Sequence, residues 1–161
     1  MVQHLLGHRA EGVAAVSAAV TAVRESTGQP AHPVIIVAFS AGAVAALDHA
    51  RRTGEAAAIV VCSGLLRTAE RGTPTVIDAP VLLMHGTQDA VSPISMVTSL
   101  IEEADAAGSA LRVTLLSQTH HAYDNPEAGT DPTGRLVYSP RSAKRARPAI
   151  AGIVDEVAPN D

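Results

Sequence analysis

Four short aliphatic runs punctuate the chain: VIIVAF at Val34–Phe39, AAIVVC at Ala57–Cys62, VLLM at Val81–Met84 and LRVTLL at Leu111–Leu116. None keeps a strict apolar–polar alternation, so each is expected to be a strand buried on both faces, the habit of parallel sheets covered by helices. Helical patterns lie between them, over about 10–24, 41–51, 93–107 and 142–157. In the third, Val97, Leu100, Ile101 and Ala104 recur at helical spacing, Pro93 suits the first turn and Gly108 the end. In the last, Pro148 is expected to kink the helix or mark its start. Strand and helix alternate, which predicts βαβ units with right-handed crossovers. The expected architecture is a single α/β domain over 1–161, with a mostly parallel sheet of about four strands flanked by helices.

The core of such a sheet must here be aliphatic. Phe39, Tyr123 and Tyr138 are the only aromatic residues, and there is no Trp. Net charge is −4, with no basic patch of the kind nucleic acid needs. The cluster Arg141, Lys144, Arg145 and Arg147 reads as the solvated face of a helix start. No stretch reaches the roughly 18 apolar residues of a membrane span. Residues 13–23, VAAVSAAVTAV, have the length of a signal-peptide core, but Glu11 precedes them and no A-x-A site follows promptly. Val13, Val16, Val20 and Val23 share one helical face, which predicts an amphipathic helix and a cytoplasmic protein. The single cysteine, Cys62, cannot form an internal disulfide, fits a reducing compartment, and reads as a small buried hydrophobe.

Chemistry concentrates at three strand ends. The first run passes through Ser40 directly into a small-residue helix. A strand–Ser–helix join with small neighbours is a nucleophile elbow: the turn is sharp, the serine backbone is strained, and the residues two before and two after, Ala38 and Gly42, must be small for strand and helix to approach. The helix N-terminus points its free N–H groups at the serine, and the Ala41 N–H would donate to a developing oxyanion. The same residues also fit a plain helix N-cap. After the third run, His85-Gly86-Thr87-Gln88-Asp89 puts a carboxylate just beyond the strand, where it is either a turn residue or a partner of Ser40. After the fourth, His120 and His121 put an imidazole on the same edge, and the chain order serine, acid, histidine is that of α/β-hydrolases. The 17-residue loop 124–140 is dense in turn formers and long enough to suggest a functional role. His4, His8 and His32 fall in loops or helix ends, His49 is expected to face outward, and His85 reads as packing. No pair of histidines has metal-ligand spacing in a fitting context, so neither metal nor cofactor is expected.

The stretches VAFSAGA, VLLMHGTQDAVSP and THHAYDNPE, with VYSPRSA as a weaker fourth, resemble the dienelactone hydrolase family of α/β-hydrolases. Asp89 follows Ser40 by 49 residues and His121 follows Asp89 by 32, close to the family's intervals. Family members carry H-A-aromatic-D at the base, and His121-Ala122-Tyr123-Asp124 fits that register, which selects His121 over His120. The resemblance implies a Ser40–His121–Asp89 triad, the Ala41 N–H as oxyanion donor, and a small ester or lactone as substrate. There are two departures. The family nucleophile is often cysteine in G-x-C-x-G, whereas here Ser40 sits in A-x-S-x-G, a change that points to general esterases or lactonases. Such domains also run to roughly 200–250 residues. This chain begins at the helix before the elbow, so it is expected to lack the N-terminal strands and the second oxyanion donor that follows the third of them. Unless Met1–Gly7 covers it, the elbow strand then becomes an exposed aliphatic edge, inviting a homodimer through that edge. The alternative to an enzyme is a truncated, non-catalytic remnant acting as a binding or assembly module.

Overall fold

The structure, a computed structural model, describes residues 8–29, 31–66 and 75–158. Met1–Gly7 and His4 therefore lie outside the described residues. In chain order the elements are α1 (Arg9–Thr27), β1 (Ile35–Phe39), α2 (Gly42–Thr53), β2 (Ala58–Cys62), β3 (Val81–Gly86), α3 (Ile94–Ala107), β4 (Leu111–Leu116), a 3-10 turn at Pro126–Ala128, and α4 (Pro140–Val157). The four strands form one parallel sheet in the order β1-β2-β3-β4. Val37 lies opposite Val60, Val60 opposite Leu82, and Leu82 opposite Arg112.

Side chains leave a strand alternately to its two faces, so a doubly apolar strand feeds two cores at once. Ile59, Val61 and Leu83 pack on one face with Leu47 of α2 and with Val97 and Leu100 of α3. Val60, Cys62, Leu82 and Met84 pack on the other with Tyr123 and with Ala146 and Ile153 of α4. β2 and β3 are buried along their whole length. The expectation of double burial fails for β1 and β4, because they are the outer strands and, among the described residues, have a neighbour on one side only. On β1, Ala38 is buried, whereas Val37 and Phe39 are 40% and 49% exposed on the opposite face. Among the described residues no strand pairs with the outer side of β1. Cys62 is buried, as a small hydrophobe should be.

α1 packs along α2, where Gly12 permits close approach: a Cβ there would stand 3.1 Å from the Ala45 Cβ. Its valine face is only partly covered. Val20 is buried but Val23 is exposed, and an apolar groove of about 390 Å³ remains between α1 and β1. Buried charges tie the helices together: Asp48 pairs with Arg9 of α1 and with Arg51, and Arg51 pairs with Glu103 of α3. α4 begins two residues earlier than expected. The Ser139 side chain accepts the Ser142 N–H and Pro140 opens the first turn, a favoured cap arrangement. Pro148 neither starts nor ends this helix but lies inside it. Ala146 and Ile153, buried on either side of Pro148, anchor both halves on the sheet. The Arg141, Lys144, Arg145 and Arg147 side is solvent-exposed.

His49 corrects the expectation of an outward-facing ring. It is fully buried, with Nδ1 3.1 Å from the Ser17 Oγ on α1 and Nε2 3.2 Å from the Thr53 Oγ1. These two hydroxyls give both ring nitrogens a partner, which lets the imidazole be buried. Burial, aided by Arg24 and opposed by Glu55, lowers its protonation below the ordinary 6.5. As pH falls through 6.5, the unfolded chain therefore takes up a proton that folded His49 refuses, and stability drops. His49→Gln should make the urea midpoint fall less between pH 7 and pH 5 than it does in the parent. His85, shifted in the same direction, keeps part of the slope.

Candidate active site

At the end of β1 the chain turns at Ser40 with φ 46, and α2 starts two residues later. A left-handed conformation costs a residue with a Cβ about 1–2 kcal/mol, so neighbouring bonds must hold it. They do so on both sides. The Ser40 N–H donates to the Cys62 carbonyl at 3.3 Å, and the Ser40 carbonyl accepts the N–H groups of Ala43 at 3.1 Å and Leu65 at 2.8 Å. This backbone brings the Ser40 Oγ to 2.9 Å from the His121 Nε2. Ala41 is the N-cap of α2, and its N–H follows Ser40 directly. Ala38 is buried beneath the turn. Gly42 does not play the expected packing part, because it is exposed and a Cβ there would meet nothing within 4 Å. The tight approach lies on the next strand end instead, where a Cβ on Gly64 would stand 2.2 Å from the Val61 Cγ1 and 3.0 Å from the Ala43 Cβ.

Asp89 ends a turn that leaves β3 through Gly86. A Cβ at Gly86 would stand 2.2 Å from the Thr119 carbonyl oxygen, so only glycine lets the loops after β3 and β4 touch. Three hydrogen bonds stitch them: Thr87 N–H to the Leu116 carbonyl at 3.0 Å, Gln88 N–H to the Thr119 carbonyl at 2.9 Å, and Gln118 N–H to the Thr87 Oγ1 at 3.1 Å. The Asp89 Oδ1 accepts the N–H groups of Val91 and Ser92 at 2.9 and 2.8 Å, while Oδ2 lies 2.7 Å from the His121 Nδ1. Burial by itself would raise the Asp89 carboxyl. The bonds from His121 and Ser92, with the nearby His121 and His85 rings, outweigh it and hold the group below the usual carboxylate range. An ionised carboxylate only accepts, so Nδ1 of His121 carries the proton and Nε2 is left to accept the Ser40 hydroxyl.

His121 is buried and fixed by its flanks. Its carbonyl accepts the Val137 N–H at 2.9 Å, and Ala122 follows at φ 59. Tyr123 is fully buried under the sheet and donates to the Met84 carbonyl at 3.5 Å. His120 does not join this relay. It lines a surface cleft of about 380 Å³ with Gln88, Gln118 and Tyr138. The long loop is folded back by the Ser139 N–H, which donates to the Tyr123 carbonyl at 3.0 Å.

Ser40, Asp89 and His121 thus meet in one hydrogen-bonded line. The sequence reading passed over Ser63. It ends β2 as Ser40 ends β1, with φ 47, and donates to the Asp124 Oδ1 at 3.3 Å. The signal was present in the Ser63-Gly64 pair after an aliphatic run. Among the described residues, no three His, Cys, Asp or Glu side chains are grouped to hold a metal, and no helix is long and apolar enough to cross a membrane.

A parallel sheet with a serine elbow and convergent loops after its third and fourth strands defines an α/β-hydrolase fold. The chain belongs to the dienelactone hydrolase family, whose sequence model matches residues 2–156. No protein of curated function matches it. Among solved structures, a protein called m3DLH is 23% identical with a TM-score of 0.88, over 98% of this chain and 66% of its own. A dienelactone hydrolase-like promiscuous phosphotriesterase from metagenomic libraries is 24% identical with a TM-score of 0.87, over 96% of this chain and 65% of its own. An esterase, PE8, is 22% identical with a TM-score of 0.70, over 95% and 65%. The chain spans just under two thirds of the length of these relatives.

Gly86→Ala tests the stitched loops. Its Cβ must push the Thr119 carbonyl away, and the variant is expected to lose about 1–3 kcal/mol of stability in urea unfolding, the usual cost of overpacking.

Proposed function

We propose that this protein is a serine hydrolase of carboxylic esters or lactones. The observation that carries the reading is the unbroken line Ser40–His121–Asp89, with the serine in a left-handed turn at a helix N-terminus. His121 Nε2 takes the hydroxyl proton as the Ser40 Oγ attacks the carbonyl carbon. Asp89 holds the ring in the tautomer that can accept it and stabilises the imidazolium that forms. The oxygen that becomes negative receives the Ala41 N–H. The tetrahedral adduct collapses, and His121 returns its proton to the departing alkoxide. A water, deprotonated by His121, then attacks the acyl-serine and releases the acid, restoring the hydroxyl. The names of the esterase and phosphotriesterase relatives support attack on an ester centre.

Ser40→Ala should cut kcat on a short p-nitrophenyl ester by at least about 10³-fold, in line with serine removal from other triads. A fluorophosphonate probe should label the parent at Ser40 and leave the variant unlabelled. Equal turnover by the two proteins would overturn the reading. The outer edge of β1, which no strand among the described residues pairs, with Val37 and Phe39 exposed beside it, favours a second reading as a binding or assembly module in which two copies pair along β1. That reading predicts a folded chain that never labels and runs as a dimer, which Val37→Lys converts to a monomer in size-exclusion chromatography.

A further inference from the structure

We propose that His85 is a positioning residue for Asp89, acting as a rigid strut between the end of β3 and the turn that carries the carboxylate. This inference rests on the serine-hydrolase reading and adds a fourth side chain to its relay.

Asp89 lies on a turn rather than on a helix or strand; the bonds of Thr87 and Gln88 hold the near side of that turn, and residues 90–92 must hold the far side. Ser92 is the far post of that turn. Its N–H donates to the Asp89 Oδ1 at 2.8 Å. Its carbonyl precedes Pro93, and the residue is fully buried, so the carbonyl must find a donor inside the protein. His85 supplies it, with Nε2 2.8 Å from the Ser92 oxygen. Because that partner is a carbonyl, Nε2 carries the proton. The line therefore runs from His85 through Ser92 and Asp89 to His121 and Ser40.

The ring is itself immobile. It sits on β3, the strand buried along its whole length, and is fully buried. Its other nitrogen, Nδ1, has no hydrogen-bond partner among the described residues. A residue present only to fill space would be expected to carry no polar atom there, since a buried acceptor without a donor is destabilising. The strut function accounts for the imidazole, because one nitrogen is needed and the other comes with it. The titratable groups that face the ring are Asp89, whose Oδ2 is 4.0 Å from Nε2, and His121. Burial keeps the ring neutral against the pull of Asp89, so it does not compete with His121 for the carboxylate.

The test uses His85→Leu, His85→Gln and His85→Asn, with active sites counted by fluorophosphonate labelling of Ser40. Gln can place an N–H near the Nε2 position, whereas Asn places one near Nδ1. Per labelled site, His85→Leu is expected to lower kcat about tenfold with KM within twofold, as one loosened positioning contact would. His85→Gln should recover most of the loss and His85→Asn should not. Parent kcat in His85→Leu would overturn the inference while leaving the hydrolase reading intact. If His85→Leu does not fold, equal kcat in the Gln and Asn variants would overturn it. Loss of the hydrolase reading itself would show as turnover in Ser40→Ala.

Discussion

Parallel pairing forces the carboxyl ends of β1, β2, β3 and β4 to one edge of the sheet, and every feature of the site follows from that constraint. Three groups separated by 81 residues of chain, from Ser40 to His121, meet because each is attached within a few residues of such an end. The sheet fixes only the neighbourhood. The final placement comes from backbone bonds between adjacent loops: Cys62 and Leu65 clasp Ser40, while Leu116 and Thr119 accept the Asp89 turn. Gly86 is the pivot of the second clasp, since a side chain there would occupy the space of a carbonyl.

The site is built at some cost in backbone comfort. Ser40, Ser63, Gln118 and Ala122 all lie at positive φ without being glycine, and all four follow strand ends on the same edge. Strain of this kind persists only where surrounding contacts over-determine it. Here those contacts are the buried core under β2 and β3 and the fully buried Tyr123, which anchors the His121 loop to Met84. Packing in the middle of the sheet is thus connected to the position of the imidazole by a short, nameable path.

Much of this could be read from the residues. Aliphatic runs without alternation marked all four strands, and the small-residue helix after Ser40 marked the elbow. A carboxylate and a histidine after the third and fourth strands marked its partners, and the H-A-aromatic-D register separated His121 from His120. What stayed hidden depended on tertiary neighbours. A run of apolar residues looks alike in the centre and at the edge of a sheet, so the exposure of Val37 and Phe39 was not visible. His49 looked like a surface residue because its partners, Ser17 and Thr53, declare themselves only once α1 lies on α2. The role given to Gly42 belongs to Gly64, because the close contact is made by the neighbouring strand end. Ser92 and His85 carry no local pattern that ties them to Asp89. Their link is a carbonyl left without a backbone partner ahead of a proline.

The outer position of β1 has a dynamic consequence. Asp89 and His121 hang from β3 and β4, whose loops are sewn to each other, whereas Ser40 hangs from β1, the outer strand at the opposite end of the described sheet. Amide protection should therefore be lower along β1 than along the fully buried β2 and β3, and detachment of β1 would be a sub-global opening that leaves β2, β3, β4 and their loops in place. Such an opening separates the hydroxyl from an otherwise intact acid–imidazole pair. Any partner that closes this side of the sheet would act on the lifetime of the assembled line without touching its members.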